Sequence, residues 1–351
     1  MRLLAITLLA LGILLGTPDT PWARTTRPDA LSEWRLAQEF GAARLLLKTL
    51  LKERPAGGEK YAILVAESLS LSRQGVTPRP RLTFGIAPVV EYDHNINGGF
   101  PVDEISIGPF TFVVDPESRA RSGLTFGLRA DAGASLAVAD GLLFTLSAYG
   151  TARHSFEHDL NVLKYSTTAC LKYTSRTWSY VDACASEYNL RRDLSEEERF
   201  FRSVTFGRVF STGNASHDVA VTALHQRYLG DSQRRLRLSV SSVVREVGAF
   251  DFGVSVGDGP DGVLAMTQGV DVGFGSVLWG QPTRVSLAYL REEGGVFFGQ
   301  DRSDERWLLR ANRRLSPSVD GYVSLERKNS SLEAFTESLF NIGFEIRGRR
   351  W

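Results

Sequence analysis

Apolar and polar residues alternate along the chain from about residue 82 to its end. Leu82, Phe84 and Ile86 share one parity, whereas Arg81 and Thr83 occupy the other. A period of two is typical of β-strands, because successive side chains point to opposite faces of a sheet. The alternation predicts about fourteen strands, at residues 82–92, 124–136, 142–148, 160–173, 178–190, 200–211, 217–229, 234–245, 248–257, 265–279, 283–293, 305–315, 319–329 and 338–347.

The connections between these segments are of two kinds. "YTSRTW", "FSTGNAS", "EVGAF" and "LSPSVDG" are typical of short turns. Longer polar connections are predicted at "EYDHNINGG" through "DPESRARSG", and at "RRDLSEEER", "GDGPDGVL", "REEGGVFFGQDRSDE" and "RKNSSLEAFTES". Short turns at one rim and long loops at the other are typical of outer-membrane barrels.

Charged and polar residues occupy the parity opposite to the apolar set. They include Arg129 and Asp131, Lys164 and Lys172, Arg237 and Ser239, Glu326 and Lys328, and Glu345 and Arg347. A barrel of about fourteen strands encloses a lumen that can hold water, so such charges can face inward while apolar residues face lipid. A soluble sandwich, with its apolar face inside, would show the same alternation. The even strand number and the two kinds of connection favour a transmembrane antiparallel β-barrel of about 14 strands.

The N-terminal part has a different pattern. Arg2 and the apolar run after it predict a secretory signal peptide over residues 1–23, because the run is too short to span a membrane. Residues 24–80 are predicted to form a helical segment, with helices over 29–54 and 60–73. The domain boundary is placed near residue 80, so that the barrel covers 81–351.

The spacing of residues in the first helix is similar to one tetratricopeptide-type unit. The pattern consists of Trp34, Ala37, Gly41, Ala43, Leu47, Leu50 and Pro55. An amphipathic helical cap on the barrel is the alternative, because such repeats usually need neighbours to bury their faces.

Composition and motifs give little indication of catalysis or of nucleic-acid binding. The chain has 41 Lys and Arg against 40 Asp and Glu, so it lacks the basic excess that nucleic-acid binding requires. His154 and His158 have the spacing of a metal-binding helix, but they lie between two strands, where that spacing gives no common face. No nucleophile, phosphate-loop or zinc-protease motif occurs in the sequence. We therefore expect neither an enzyme nor a resident cofactor or metal.

Cys170 and Cys184 lie in adjacent predicted strands joined by "YTSRTW". With Leu171 and Ala183 on the lipid side, both cysteines face the lumen. An exported chain passes through an oxidising compartment, so we expect a cross-strand disulfide between them.

The stretch "PVVEYDHNINGG" marks the end of the first barrel strand. Tyr92 is expected on the outward face near an interfacial aromatic girdle. Asp93, Asn95 and Asn97 are interpreted as turn-forming groups, and Gly98 as a residue that permits positive φ. A cation site in this loop is the alternative interpretation.

The order of these features resembles the surface lipoprotein assembly modifier family, often called Slam. The resemblance rests on "YDHNINGG" and "IGPFTFVVDPESRARSG" and is most specific over residues 81–136. It implies a Gram-negative outer-membrane protein with periplasmic N-terminal helices and a barrel of about 14 strands. It further implies assistance in lipoprotein delivery to the cell surface, with outer-membrane lipid and a surface lipoprotein as partners. The helical part is shorter here than the several-repeat domain of better-known members. A general channel or porin and a structural barrel are the alternative functions.

Overall fold

The computed structural model describes residues 42–54, 58–71, 80–107, 109–228, 231–278, 281–316 and 319–346. The predicted signal peptide, Trp34, Gly41 and the C-terminal residue Trp351 lie outside the described residues.

Fourteen strands close into an antiparallel barrel, as the period-two pattern predicts. The barrel strands are β1 (Arg81–Asp93), β4 (Gly123–Ala139), β5 (Leu142–Ser155), β6 (Leu160–Thr174), β7 (Ser179–Arg191), β8 (Glu196–Thr212), β9 (Ala215–Arg227), β10 (Ser232–Val244), β11 (Gly248–Gly257), β12 (Ala265–Leu278), β13 (Gln281–Phe297), β14 (Gln300–Ser316), β15 (Val319–Ser330) and β16 (Glu337–Ile346). β1 pairs with β4 and β16, and every other pair is consecutive. A separate hairpin, β2 (Glu104–Ile107) and β3 (Phe110–Val113), belongs to the first long connection.

The apolar parity of the barrel strands faces outward. Leu82 is 78% exposed and Leu128 is 58% exposed, whereas the inward Thr125 and Arg153 are buried. An apolar exterior around a polar interior is the architecture of an outer-membrane barrel. The alternative of a soluble sandwich is therefore wrong, since the sheet closes on itself and its charges face the lumen.

Two helices precede the barrel, α1 (Ala43–Glu53) and α2 (Gly58–Ser68). The predicted second helix, 60–73, therefore starts and ends too late in the sequence. Within the described residues, no helix is both long enough and apolar enough to cross a membrane.

Two of the predicted long loops are wrong. "RRDLSEEER" contains only a four-residue turn, 192–195, between β7 and β8, and "REEGGVFFGQDRSDE" is a hairpin that turns at Phe298 and Gly299. These two residues have φ of 48° and 76°, the left-handed conformation that a two-residue hairpin turn requires. The polar residues of these two segments belong to strands that continue beyond the lipid-facing part of the barrel. Their polarity therefore does not indicate a loop.

Candidate functional site

The lumen wall from β10 to β13 carries two ion pairs that each skip a strand. Arg237 on β10 donates to both carboxylate oxygens of Asp271 on β12, at 2.6 and 2.9 Å, over Gly253 of β11. Arg284 on β13 donates to Asp251 on β11 at 3.0 Å. The two bonds of the Arg237–Asp271 pair fix both the position and the orientation of its guanidinium.

Glycine leaves room for these side chains where they cross the wall. A Cβ at Gly253 would lie 2.2 Å from Arg237, and a Cβ at Gly273 would lie 2.3 Å from Asp251. The side chains of Arg237 and Asp271 remain 40% and 28% exposed. Water therefore reaches this wall, and its charges are available to ions in the lumen.

The opposite wall is drier. Arg153 on β5 is 9% exposed and bonds to Asp93 at 3.3 Å and to Glu91 at 2.9 Å, both on β1. A buried guanidinium between two carboxylates is stable only while all three groups remain paired. This cluster joins β1 to β5 across β4.

Helix α1 is seated in the mouth of the barrel at the short-turn rim. Its Leu45, Leu46 and Leu50 form one buried cluster with five residues of the inner wall. The wall residues are Tyr180, Val209, Ala220, Val243 and Ala249, from β7 to β11. Apolar residues on the inward parity close to the short turns are the signal in the sequence that could have predicted this seat.

Polar contacts hold α1 at both of its ends. Arg44 donates to both carboxylate oxygens of Asp182, at 2.9 and 2.5 Å, and stacks over the ring of Tyr180 at 3.9 Å. At the other end, Lys52 donates to the carbonyl of Ala215 at 3.1 Å. The helix is therefore held to β7 at one end and to the start of β9 at the other.

Residues 94–122, called the long loop below, begin at the "YDHNINGG" stretch. The backbone N–H of Asn95 donates to Asp93 at 3.0 Å, an Asx turn, and Gly98 has φ +75°. Asn97 is 1% exposed; its amide donates to the carbonyl of Arg119 at 2.7 Å and accepts from the N–H of Arg121 at 2.9 Å. Asp93 and Asn97 therefore bond to the backbone of the loop itself.

The long loop reaches both sides of the opposite rim. The N–H of Leu194, in the turn between β7 and β8, donates to the carbonyl of Asn97 at 2.8 Å. On the other side, the ring of Phe100 packs 6.3 Å from that of Phe297 and 5.9 Å from that of Phe335. β7 and β13 lie on opposite sides of β1 in the strand order, so the loop crosses the mouth.

The structure joins Cys170 and Cys184 in a disulfide. The two residues are directly opposite each other on β6 and β7, with a Cα–Cα distance of 4.1 Å. Cys170 shares the inward parity of Lys164 and Lys172, so the bridge lies on the lumen wall.

Thiol labelling of the denatured, unreduced protein is expected to find no free cysteine. Because the bridge spans a sequence separation of 14, reduction should lower the free energy of unfolding by about 3 kcal/mol. A Cys170→Ser/Cys184→Ser variant should have that lower stability with and without reductant. Two reactive thiols in the unreduced wild type would contradict the bridge.

The histidines have separate partners. His154 bonds to Asn161 at 3.1 Å, and His158 bonds to the carbonyl of Ser122 at 3.1 Å. Within the described residues, no group of three or more His, Cys, Asp or Glu could hold a metal ion.

Comparison with known proteins gives structural likeness only. The sequence matches no protein-family model and no curated protein. Similar solved structures include Pseudomonas aeruginosa OpdK with vanillate, at 8% identity and TM-score 0.43, covering 77% of this chain and 99% of OpdK. Acinetobacter baumannii OccAB4 has 8% identity and TM-score 0.39, covering 80% of this chain and 100% of its own. A BenF-like porin from Pseudomonas fluorescens Pf-5 has 6% identity and TM-score 0.40, covering 79% and 99%. At this level of likeness, the substrates of these proteins give no information about the substrate of this chain.

Proposed function

We propose that the chain is an outer-membrane channel for small hydrophilic solutes, with α1 acting as a plug at its periplasmic mouth. The observation that carries this proposal is the wet, charged wall from β10 to β13 inside an apolar exterior. Charged side chains that line a pore select ions by sign. The rim with short turns is assigned to the periplasm, since outer-membrane barrels place their short turns there.

Exchange of one partner of the Arg237–Asp271 pair should change the ion selectivity of the purified protein in planar bilayers. Arg237→Gln leaves the carboxylate of Asp271 unpaired in the lumen, so the reversal potential in a KCl gradient should shift toward cation selectivity. Asp271→Asn should shift it toward anions, with the permeability ratio changing about two-fold or more in each case. Arg208→Gln is the matched control, because Arg208 lies on the outward parity of β8. Identical reversal potentials in all three variants would contradict a lumen pathway through this wall.

Lipoprotein assembly at the cell surface is the second candidate function. It is supported by the resemblance to the Slam family at "YDHNINGG", the stretch whose Asp93, Asn95 and Asn97 organise the long loop. Its test is protease accessibility of surface lipoproteins in a strain that lacks this chain. Unchanged accessibility of every surface lipoprotein would count against it.

A further inference from the structure

The barrel closes through a short seam. β1 and β16 pair at Val89↔Glu345, Val90↔Phe344 and Glu91↔Gly343. On its other side, β1 pairs with β4 along its whole length, from Arg81 to Asp93. Toward the long-loop rim, the described strands therefore separate after Glu91, although β1 continues for two more residues and β16 begins six residues earlier.

The strands separate because the chain that continues from β1 turns away from β16 and passes over the mouth. After Asp93, the N–H of Ile96 donates to the carbonyl of Arg121 at 2.8 Å, and Asn97 continues to the turn between β7 and β8. Residues 337–342 of β16 pair with β15 on one side. Within the described residues, no strand pairs with their other side.

Where the backbone hydrogen bonds between β1 and β16 stop, a side chain connects the two strands. With its nitrogen oriented toward β1, the amide of Asn341 donates to the carbonyl of Tyr92 at 3.2 Å and to the carbonyl of Phe340, its own neighbour in β16, at 3.3 Å. The edge of residues 337–342, which contains Asn341, is about 20 Å long, from the rise of a strand over six residues. An edge of this length presents alternate N–H and C=O groups to any chain that can pair with them.

A cleft of about 600 Å³ opens beside this edge. Phe340 and Ile342 of β16 form one side, and Tyr92, His94 and Leu124 form the other. Phe340 and Ile342 share the outward parity of Phe344, so the cleft opens on the exterior of the barrel. The Nε2 atom of His94 is buried and has no hydrogen-bond partner among the described residues.

We propose that the edge 337–342 is a binding site for an extended polypeptide segment, which adds to β16 as a strand and places alternate side chains in the cleft. An extended backbone supplies donors and acceptors in the alternation that an open edge requires. A lipid acyl chain has neither, and it would leave these groups unsatisfied. The site is separate from the lumen and independent of solute conductance.

The test is binding of a defined peptide to the full-length protein in lipid nanodiscs. The probe is a fluorescent peptide that alternates Thr and Val between terminal lysines, compared with the same peptide methylated on every backbone nitrogen between the lysines. The first should bind at least about ten-fold more tightly, because methylation of every nitrogen removes the donors from both edges of the peptide. This comparison uses the wild-type protein, so it does not depend on the folding of any variant. Equal binding of the two peptides would overturn the proposal.

An engineered disulfide between β1 and β16 tests the location of the site. Tyr92 and Ile342 would be the next pair in the register, so a Tyr92→Cys/Ile342→Cys disulfide should close the start of the edge and weaken binding about ten-fold or more. Val90→Cys/Phe344→Cys is the matched control, because these two residues are already paired. It should leave binding unchanged. Unaltered binding in an oxidised Tyr92→Cys/Ile342→Cys protein would also overturn the proposal.

Discussion

Replacing both Leu46 and Leu50 of α1 by aspartate is expected to raise the single-channel conductance at least about two-fold, because carboxylates cannot stay in a dry apolar seat. Both leucines are at most 6% exposed in the cluster that α1 forms with the barrel wall. Each stabilises the seat by about 1.5–3 kcal/mol through burial, whereas an unpaired buried carboxylate costs more than that. The helix should therefore leave the mouth, and recordings in planar bilayers measure the change.

Leu51→Asp provides the control for the plug. Leu51 lies on the same helix but is 49% exposed, so its replacement leaves the seat intact. Its conductance should equal that of the wild type. Equal conductance of the Leu46→Asp/Leu50→Asp variant and the wild type would show that α1 does not restrict the pathway.

Replacing Arg153 by alanine is expected to lower the free energy of unfolding by about 3–5 kcal/mol, because Glu91 and Asp93 would then lose their buried cation. Urea titration in lipid bilayers, followed by tryptophan fluorescence, measures this loss. Adding Glu91→Gln and Asp93→Asn should recover part of it, since the uncompensated charges are then removed.

Arg176→Ala is the matched control for the buried cluster. Arg176 pairs with Asp140 at 3.2 Å, but the two side chains are 83% and 49% exposed. An exposed pair of this kind contributes at most about 1 kcal/mol. A loss for Arg153→Ala no larger than that for Arg176→Ala would contradict a structural role for the cluster.

The strand number and the inward position of Arg237 followed from the sequence, because a period of two alone assigns each residue to one face of the sheet. The loop predicted at "RRDLSEEER" failed for a physical reason. Where strands extend beyond lipid, both faces can be polar, so polarity no longer distinguishes strand from loop. The loop predicted at "REEGGVFFGQDRSDE" failed for the same reason, and the chain there turns only at Phe298 and Gly299.

The contacts that organise the lumen could not be predicted from the alternation of apolar and polar residues. The cluster of Arg153, Glu91 and Asp93 depends on the registers between β1, β4 and β5, which alternation does not determine. The seat of α1 joins Arg44 to Asp182 over 138 residues. Val209 and Val243 did carry a local signal, since they are apolar on the inward parity, yet the sequence alone does not show what covers them.

The central claim is that polar residues face a water-filled lumen and apolar residues face lipid, and thiol labelling of two adjacent positions tests it most directly. Ser239 shares the inward parity of Arg237 on β10, and Val240 shares the outward parity of Leu238, which is 45% exposed. In membranes, Ser239→Cys should react with a small charged thiol reagent about ten-fold or more faster than Val240→Cys, because only a hydrated thiol ionises readily. Equal rates, or faster reaction at position 240, would contradict the account.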